Sequence, residues 1–146
     1  MTNLEIDIQI ESAQSDIPSA EDLLSWTTAA LESHAAEITL RIVDEPESEQ
    51  LNQTYRKKSG PTNVLSFPFS TQVDTLLHGD LVICAPIVMK EALAQNKPPR
   101  AHWAHLTVHG TLHLQGYDHI EVEDAKIMEE REIAILSSLG ISNPYE

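Results

Sequence analysis

HGTLHLQGYDH, residues 109–119, reads as the end of a helix followed by a tight turn. His109 and His113 are four apart, and positions i and i+4 lie one above the other on a helix face, so the two imidazoles can share one ion. Leu112 and Leu114 flank His113 within the helix. Gly116 is the residue that takes a left-handed conformation and stops it. Past that turn the chain doubles back and offers His119 as a third ligand. Three neutral imidazoles with an open fourth position suit a catalytic zinc, whereas structural zinc sites usually close with four ligands, often thiolates. The chain has one cysteine, Cys84, which excludes a thiolate-rich site.

The pattern HExxHxxGxxH of zinc peptidases has the same spacing of histidines and glycine. Here Gly110 stands where that pattern places its general base, and no other carboxylate is marked to replace it. A zinc peptidase is therefore the weaker enzyme reading. His105 lies one turn before His109 on the same stripe and reads as a group supporting a ligand, one facing the substrate or, the favoured reading, a histidine at the edge of the core; His102 has no special claim.

Outward from this helix, Pro98-Pro99 breaks the chain before it and the helix begins near Arg100. After it, a last helix is predicted over Val122–Leu139, with Ile127, Ile133, Ala134 and Leu136 toward the core and Gly140 ending it. Upstream, Leu4, Ile6, Ile8 and Ile10 alternate with polar residues, the period of a half-buried strand. Ser19 is a natural N-cap with Asp22 three residues on, and Leu23, Trp26, Ala30 and Leu31 form that helix's apolar stripe. Ile38, Leu40 and Ile42 alternate as a second strand, and Asp44 with Glu47 starts a helix running to about Arg56. Val64–Phe67 is a short strand stopped by Pro68, and Ser70–His78 an irregular excursion. Leu81–Cys84 is a continuous apolar run of the kind buried on both faces. Pro86 suits the first turn of a helix lasting to about Gln95. Four strands and about five helices predict one α+β domain over residues 1–146, a small mixed sheet packed with helices.

With 41% apolar and 22% charged residues, the 146-residue chain has ordinary globular composition. No apolar run is long enough for a membrane span. The acidic start lacks the basic and apolar blocks of a signal peptide, and a lone cysteine fits a reducing cytoplasm. The net charge of −14 is unevenly spread: residues 1–50 hold twelve acids and one base, residues 118–146 eight and two, and residues 51–117 three acids and six bases. The basic residues thus share a segment with two of the three histidines, and a basic cleft inside an acidic shell still focuses a polyanion locally.

Three blocks, in this order, resemble one known family: LNQTYRKKSGPTNVLSFPF at 51–69, GDLVIC at 79–84 and HGTLHLQGYDH at 109–119. They are similar to the signatures of the YbeY family, metal-dependent endoribonucleases of ribosomal RNA maturation. The resemblance implies an α+β fold, one zinc ion per chain on His109, His113 and His119, and a role in activity for Arg56. The implied substrate is single-stranded RNA, in small-subunit ribosomal RNA 3′-end maturation and ribosome quality control, in the cytoplasm. Lys57 and Lys58 are candidates for binding the RNA backbone, and Asp118 either orients a ligand imidazole or caps a turn. Gly110 does not weigh against phosphodiester cleavage, for which water or the RNA 2′-hydroxyl can supply the nucleophile. The competing reading is a non-catalytic, zinc-stabilised ribosome-assembly factor, and the acidic surface suits a basic partner such as a ribosomal protein.

Overall fold

In the computed structural model, which describes residues 3–32, 35–69 and 76–146, the chain runs β1 (Asn3–Glu11), α1 (Ala20–Ala30), β2 (Ala35–Val43), α2 (Glu45–Arg56), β3 (Val64–Phe69), β4 (Leu76–Cys84), α3 (Ala85–Ala94), α4 (Pro99–Leu114) and α5 (Val122–Ser138). The strands form one sheet in the order β1-β2-β4-β3. The β1–β2 and β2–β4 pairs are parallel, and β3 runs antiparallel to β4. This is the expected mixed four-stranded sheet with five helices.

The register aligns Ile8, Leu40 and Leu81 in one row and Ile10, Ile42 and Ile83 in another. Side chains two apart share a face, so Ile38, Leu40, Ile42, Leu81 and Ile83 build the main core, against Leu23 and Trp26 of α1 and Trp103, Val108 and Leu112 of α4. The alternate residues Val43, Val82 and Cys84 join Leu65 in a smaller cluster on the opposite face, with Leu51 of α2 packed against it. Leu81–Cys84 is therefore buried on both faces, as its unbroken apolar run predicts. Ser19 caps α1 by accepting the Asp22 N–H at 3.1 Å.

Several expectations need correction. β3 passes through Pro68 to Phe69, because it lies at the sheet edge, where a proline leaves no ladder partner on its outer side. β4 begins at Leu76, so 76–78 of the predicted excursion are strand; 70–75 lie outside the described residues. Ile10 is exposed on the other edge strand. Asp44 stands at the N-cap of α2, but its carboxylate accepts from the Ser12 hydroxyl and the Ala13 N–H, tying β1's exit to this helix. On α5, Ile127 is 56% exposed, Ala134 is exposed and Ile133 only half-buried; the inward stripe is Met128, Glu132, Ile135 and Leu136. A glutamate in the middle of that stripe shifts the apolar pattern away from the face that packs.

α4 is the central helix, touching α1, α3, α5, β3 and β4. Its closest approach to the sheet is at Gly110, where a Cβ would lie 2.3 Å from Leu81 Cδ1 and 3.1 Å from Val64 Cγ2. The Ser66 hydroxyl donates to the Gly110 carbonyl at 3.0 Å, fastening helix to edge strand. Gly110→Ala is expected to destabilise the fold by about 1–3 kcal/mol, the usual cost of overpacking a filled core. Denaturant unfolding with a lowered midpoint and an unchanged slope would bear this out; an unchanged midpoint would contradict the close packing.

Candidate metal centre and its cleft

His102, His105, His109 and His113 form a stripe along α4, and the turn after the helix brings His119 to its end. The rings of His109, His113 and His119 make a near-regular triangle, with centroids 4.6 Å, 4.8 Å and 5.4 Å apart. One ring nitrogen from each lies within 4.8 Å of the other two. The three residues expected from spacing alone as ligands are thus brought together.

Hydrogen bonds decide which nitrogens are free. His113 Nδ1 lies 2.8 Å from the Tyr117 carbonyl, and a carbonyl only accepts, so Nδ1 carries the hydrogen and Nε2 keeps a lone pair. That carbonyl is presented by the helix stop itself. The Tyr117 N–H returns to the Leu112 carbonyl and the Gly116 N–H to the His113 carbonyl, the paired bonds of a Schellman turn, with Gly116 at φ +99° as expected. Burial, then the neighbouring His109 and His119, lower the His113 pKa, which keeps the ring neutral as a ligand must be.

The turn carrying His119 is braced against α1. Gln115 donates to the Ala30 carbonyl at 2.8 Å and accepts the Glu32 N–H at 2.7 Å. The Tyr117 hydroxyl donates to Glu32 at 2.6 Å, and Arg131 of α5 reaches the same carboxylate oxygen at 2.9 Å. Asp118 accepts the His119 N–H at 2.7 Å, so of its two expected roles its hydrogen bond is the turn cap.

The carboxylate that does touch a candidate ligand ring is one the sequence reading missed. Glu132, fully buried on α5, accepts from His109 Nδ1 at 2.6 Å. Its other oxygen lies 3.1 Å from His105 Nε2 and also accepts the Tyr145 hydroxyl. Burial pushes the Glu132 carboxyl up, but hydrogen bonds from His105, His109 and Tyr145 outweigh it and hold the group at about 2. Burial, then the bond to Glu132, pushes the Tyr145 phenol well above its ordinary range. The pair is therefore an ionised acceptor and a neutral donor. A glutamate four after Met128 and three before Ile135, inside a core stripe, is the local signal that marks it; Tyr145 carries none. His105, 12% exposed, lies at the edge of the core and shares the Glu132 carboxylate with His109. His102 pairs with Glu91 at 2.9 Å, which Asn63 also contacts.

Arg56, exposed at the end of α2, lines the same cleft as the three histidines. α2 ends at Arg56, and Lys57 at φ +58° turns the chain back. The loop is then strapped to α2: Asn52 donates to the Gly60 carbonyl at 2.9 Å, and Ser48 exchanges hydrogen bonds with Thr62 at 2.8 and 3.0 Å. An open cleft of about 900 Å³ results, lined by Tyr55, Arg56, β3 and the three histidines. Lys57 and Lys58 are exposed beside it but outside its lining. Arg41, Lys90, Arg100 and Arg131 are engaged in ion pairs. Among the described residues Arg56, Lys57 and Lys58 make none. A cleft with three convergent imidazoles and an unpaired guanidinium can hold a metal ion and a phosphate together.

A family model described as Endoribonuclease YbeY matches residues 5–140. A Methylococcus capsulatus protein called Endoribonuclease YbeY is 58% identical over 143 residues, 96% of this chain and 95% of that protein. A Thermotoga maritima protein solved in solution is similar in fold, with a TM-score of 0.56 at 24% identity over 95% of this chain and 99% of its own. With the family model and the relative each spanning nearly its full length, the chain belongs to the YbeY endoribonuclease family.

Proposed function

We propose that the chain is a zinc-dependent endoribonuclease specific for single strands, acting in the cytoplasm in small-subunit ribosomal RNA 3′-end maturation and ribosome quality control. The observation that carries the reading is the shared cleft: Arg56 and the three histidines line one open space. The name of the M. capsulatus relative supports RNA as substrate, and the donor set fits zinc, with the Nδ1 atoms of His109 and His113 already committed to acceptors. One ion per chain would be held by His109, His113 and His119. When bound, it supplies Lewis acidity toward a phosphoryl oxygen and lowers the pKa of a coordinated water.

The chain's own residues account for the rest. Arg56 offers a planar, permanently charged fork that matches a phosphate and stabilises the charge developing on it. Lys57 and Lys58, unpaired and adjacent, suit the neighbouring phosphates of the backbone. Tyr55, exposed at the cleft and set edge-on to Phe67 at 5.2 Å, presents a ring for an unstacked base, which favours a single strand over a duplex. The peptidase reading gains nothing, because position 110 faces Leu81 and Val64 of the sheet and not the histidine triangle.

Metal content and RNA cleavage measured on one preparation test the proposal. Wild type should hold one zinc and cut single-stranded RNA, and His113→Ala should lose both. Arg56→Ala should keep the zinc and lose about 10²–10³ in rate, the usual effect of removing a charge-stabilising donor. Zinc without cleavage above a mock preparation would move the reading to an assembly factor. RNA affinity should also fall with salt, and Lys57→Ala and Lys58→Ala should each flatten the log–log slope by roughly 0.7, as for loss of one contact to a single strand; equal slopes in wild type and both variants would remove these lysines from the RNA path.

A further inference from the structure

We infer that Glu132, with Tyr145 bonded to it, is a positioning residue for His109, fixing the tautomer and orientation of that ring toward the three-histidine centre. The inference rests on the metal reading above. Glu132 sits between Met128 and Ile135 on the inward stripe of α5, among apolar neighbours. A buried carboxylate there is expensive unless every oxygen finds a donor, and the donors it finds are His109 on one oxygen and His105 and Tyr145 on the other. Only one of these three residues belongs to the histidine triangle. A carboxylate oxygen 2.6 Å from Nδ1 takes the hydrogen there and leaves Nε2 as the ligand atom, the arrangement by which outer carboxylates set the basicity and direction of a metal-binding imidazole.

Tyr145 extends this device to the segment 143–146, which is itself anchored. Lys97 donates to the Pro144 carbonyl at 2.6 Å, the Tyr145 N–H is bound by Asn143, and the Tyr145 ring packs edge-on to His105 at 5.3 Å. The hydroxyl thus holds one Glu132 oxygen so that the other stays on His109. His105, His109 and Glu132 are close enough to suggest a second cation, but each histidine meets the carboxylate through a hydrogen bond that already satisfies it.

The test uses the full chain as wild type, Glu132→Gln, Tyr145→Phe and Thr107→Val, the last altering the same helix without touching a histidine. Zinc affinity is measured by competition with a chelator, and the ring nitrogens are followed by ¹⁵N NMR in the metal-free proteins. Glu132→Gln should bind zinc about 10–100-fold more weakly, Tyr145→Phe should weaken it by less, and Thr107→Val should leave it unchanged. In metal-free wild type His109 should be protonated at Nδ1, with the Nε2-protonated form growing in Glu132→Gln. Unchanged affinity and tautomer in that variant would overturn the inference, as would two zinc ions per wild-type chain, since Glu132 would then be a ligand. If Glu132→Gln does not fold, the same two readouts on Tyr145→Phe decide. Wild type that binds no zinc sinks the metal reading alone, and the tautomer comparison still decides the role of Glu132.

Discussion

Backbone contact between α4 and the sheet at Gly110 is the constraint from which the site follows. With no side chain at that position, the helix presses its backbone onto Leu81 and Val64, and this fixes its rotation about its own axis. Successive residues turn by about 100°, so His102, His105, His109 and His113 all fall on one side of the buried glycine face, roughly 60° to 140° round from it. They point along the sheet toward its β3 edge, where the chain has room for a cleft. A bulkier residue at 110 would change the angle of all four rings together.

Rotation sets where the rings are; hydrogen bonding sets what they can do. A histidine near an ion is useful only if the correct nitrogen carries its lone pair outward. In this chain two rings are constrained by acceptors of different origin, a turn carbonyl for His113 and a buried carboxylate for His109. The first costs nothing beyond the helix stop that Gly116 already requires. The second places an ionised group at full burial, which removing any one of its donors would leave undercompensated.

This division explains what was legible in the sequence. The histidine spacing, Gly116, the Ser19 cap and the unbroken run at Leu81–Cys84 are local patterns whose physics acts within a few residues: the three rings come together, the glycine ends the helix, the serine caps one and the run is buried on both faces. The fold class follows from their order. Glu132 and Tyr145 are different: their partners on α4 lie between 23 and 40 residues away along the chain, and they bond to each other across 13, and no local rule announces such a pairing. Glu132 was also hidden by the rule that glutamates face water, which turned the predicted core face of α5 toward Ile127 and Ala134. Pro68 misled for a related reason, since a proline ends a strand only where its missing N–H matters, and the edge position of β3 is a property of the whole sheet.

The charge balance must still be reconciled with a polyanionic substrate, because 23 acids face 9 bases. Screening is the first part of the answer: at physiological ionic strength exposed charges fade beyond about 8 Å, so acids on the outer face of α5 and on β1 add little at the cleft. Pairing is the second. Arg41, Lys90, Arg100 and Arg131 are each held by a neighbouring carboxylate, which cancels their field where RNA has no need to bind. Of the five bases left over, Arg56, Lys57 and Lys58 stand in a row at the end of α2, on a loop fastened by Asn52 and Ser48, while Lys97 is bound to the Pro144 carbonyl and Lys126 lies on α5. A short run of uncompensated cations on a fastened loop, beside three imidazoles, gives a phosphate a favourable place on an otherwise acidic surface.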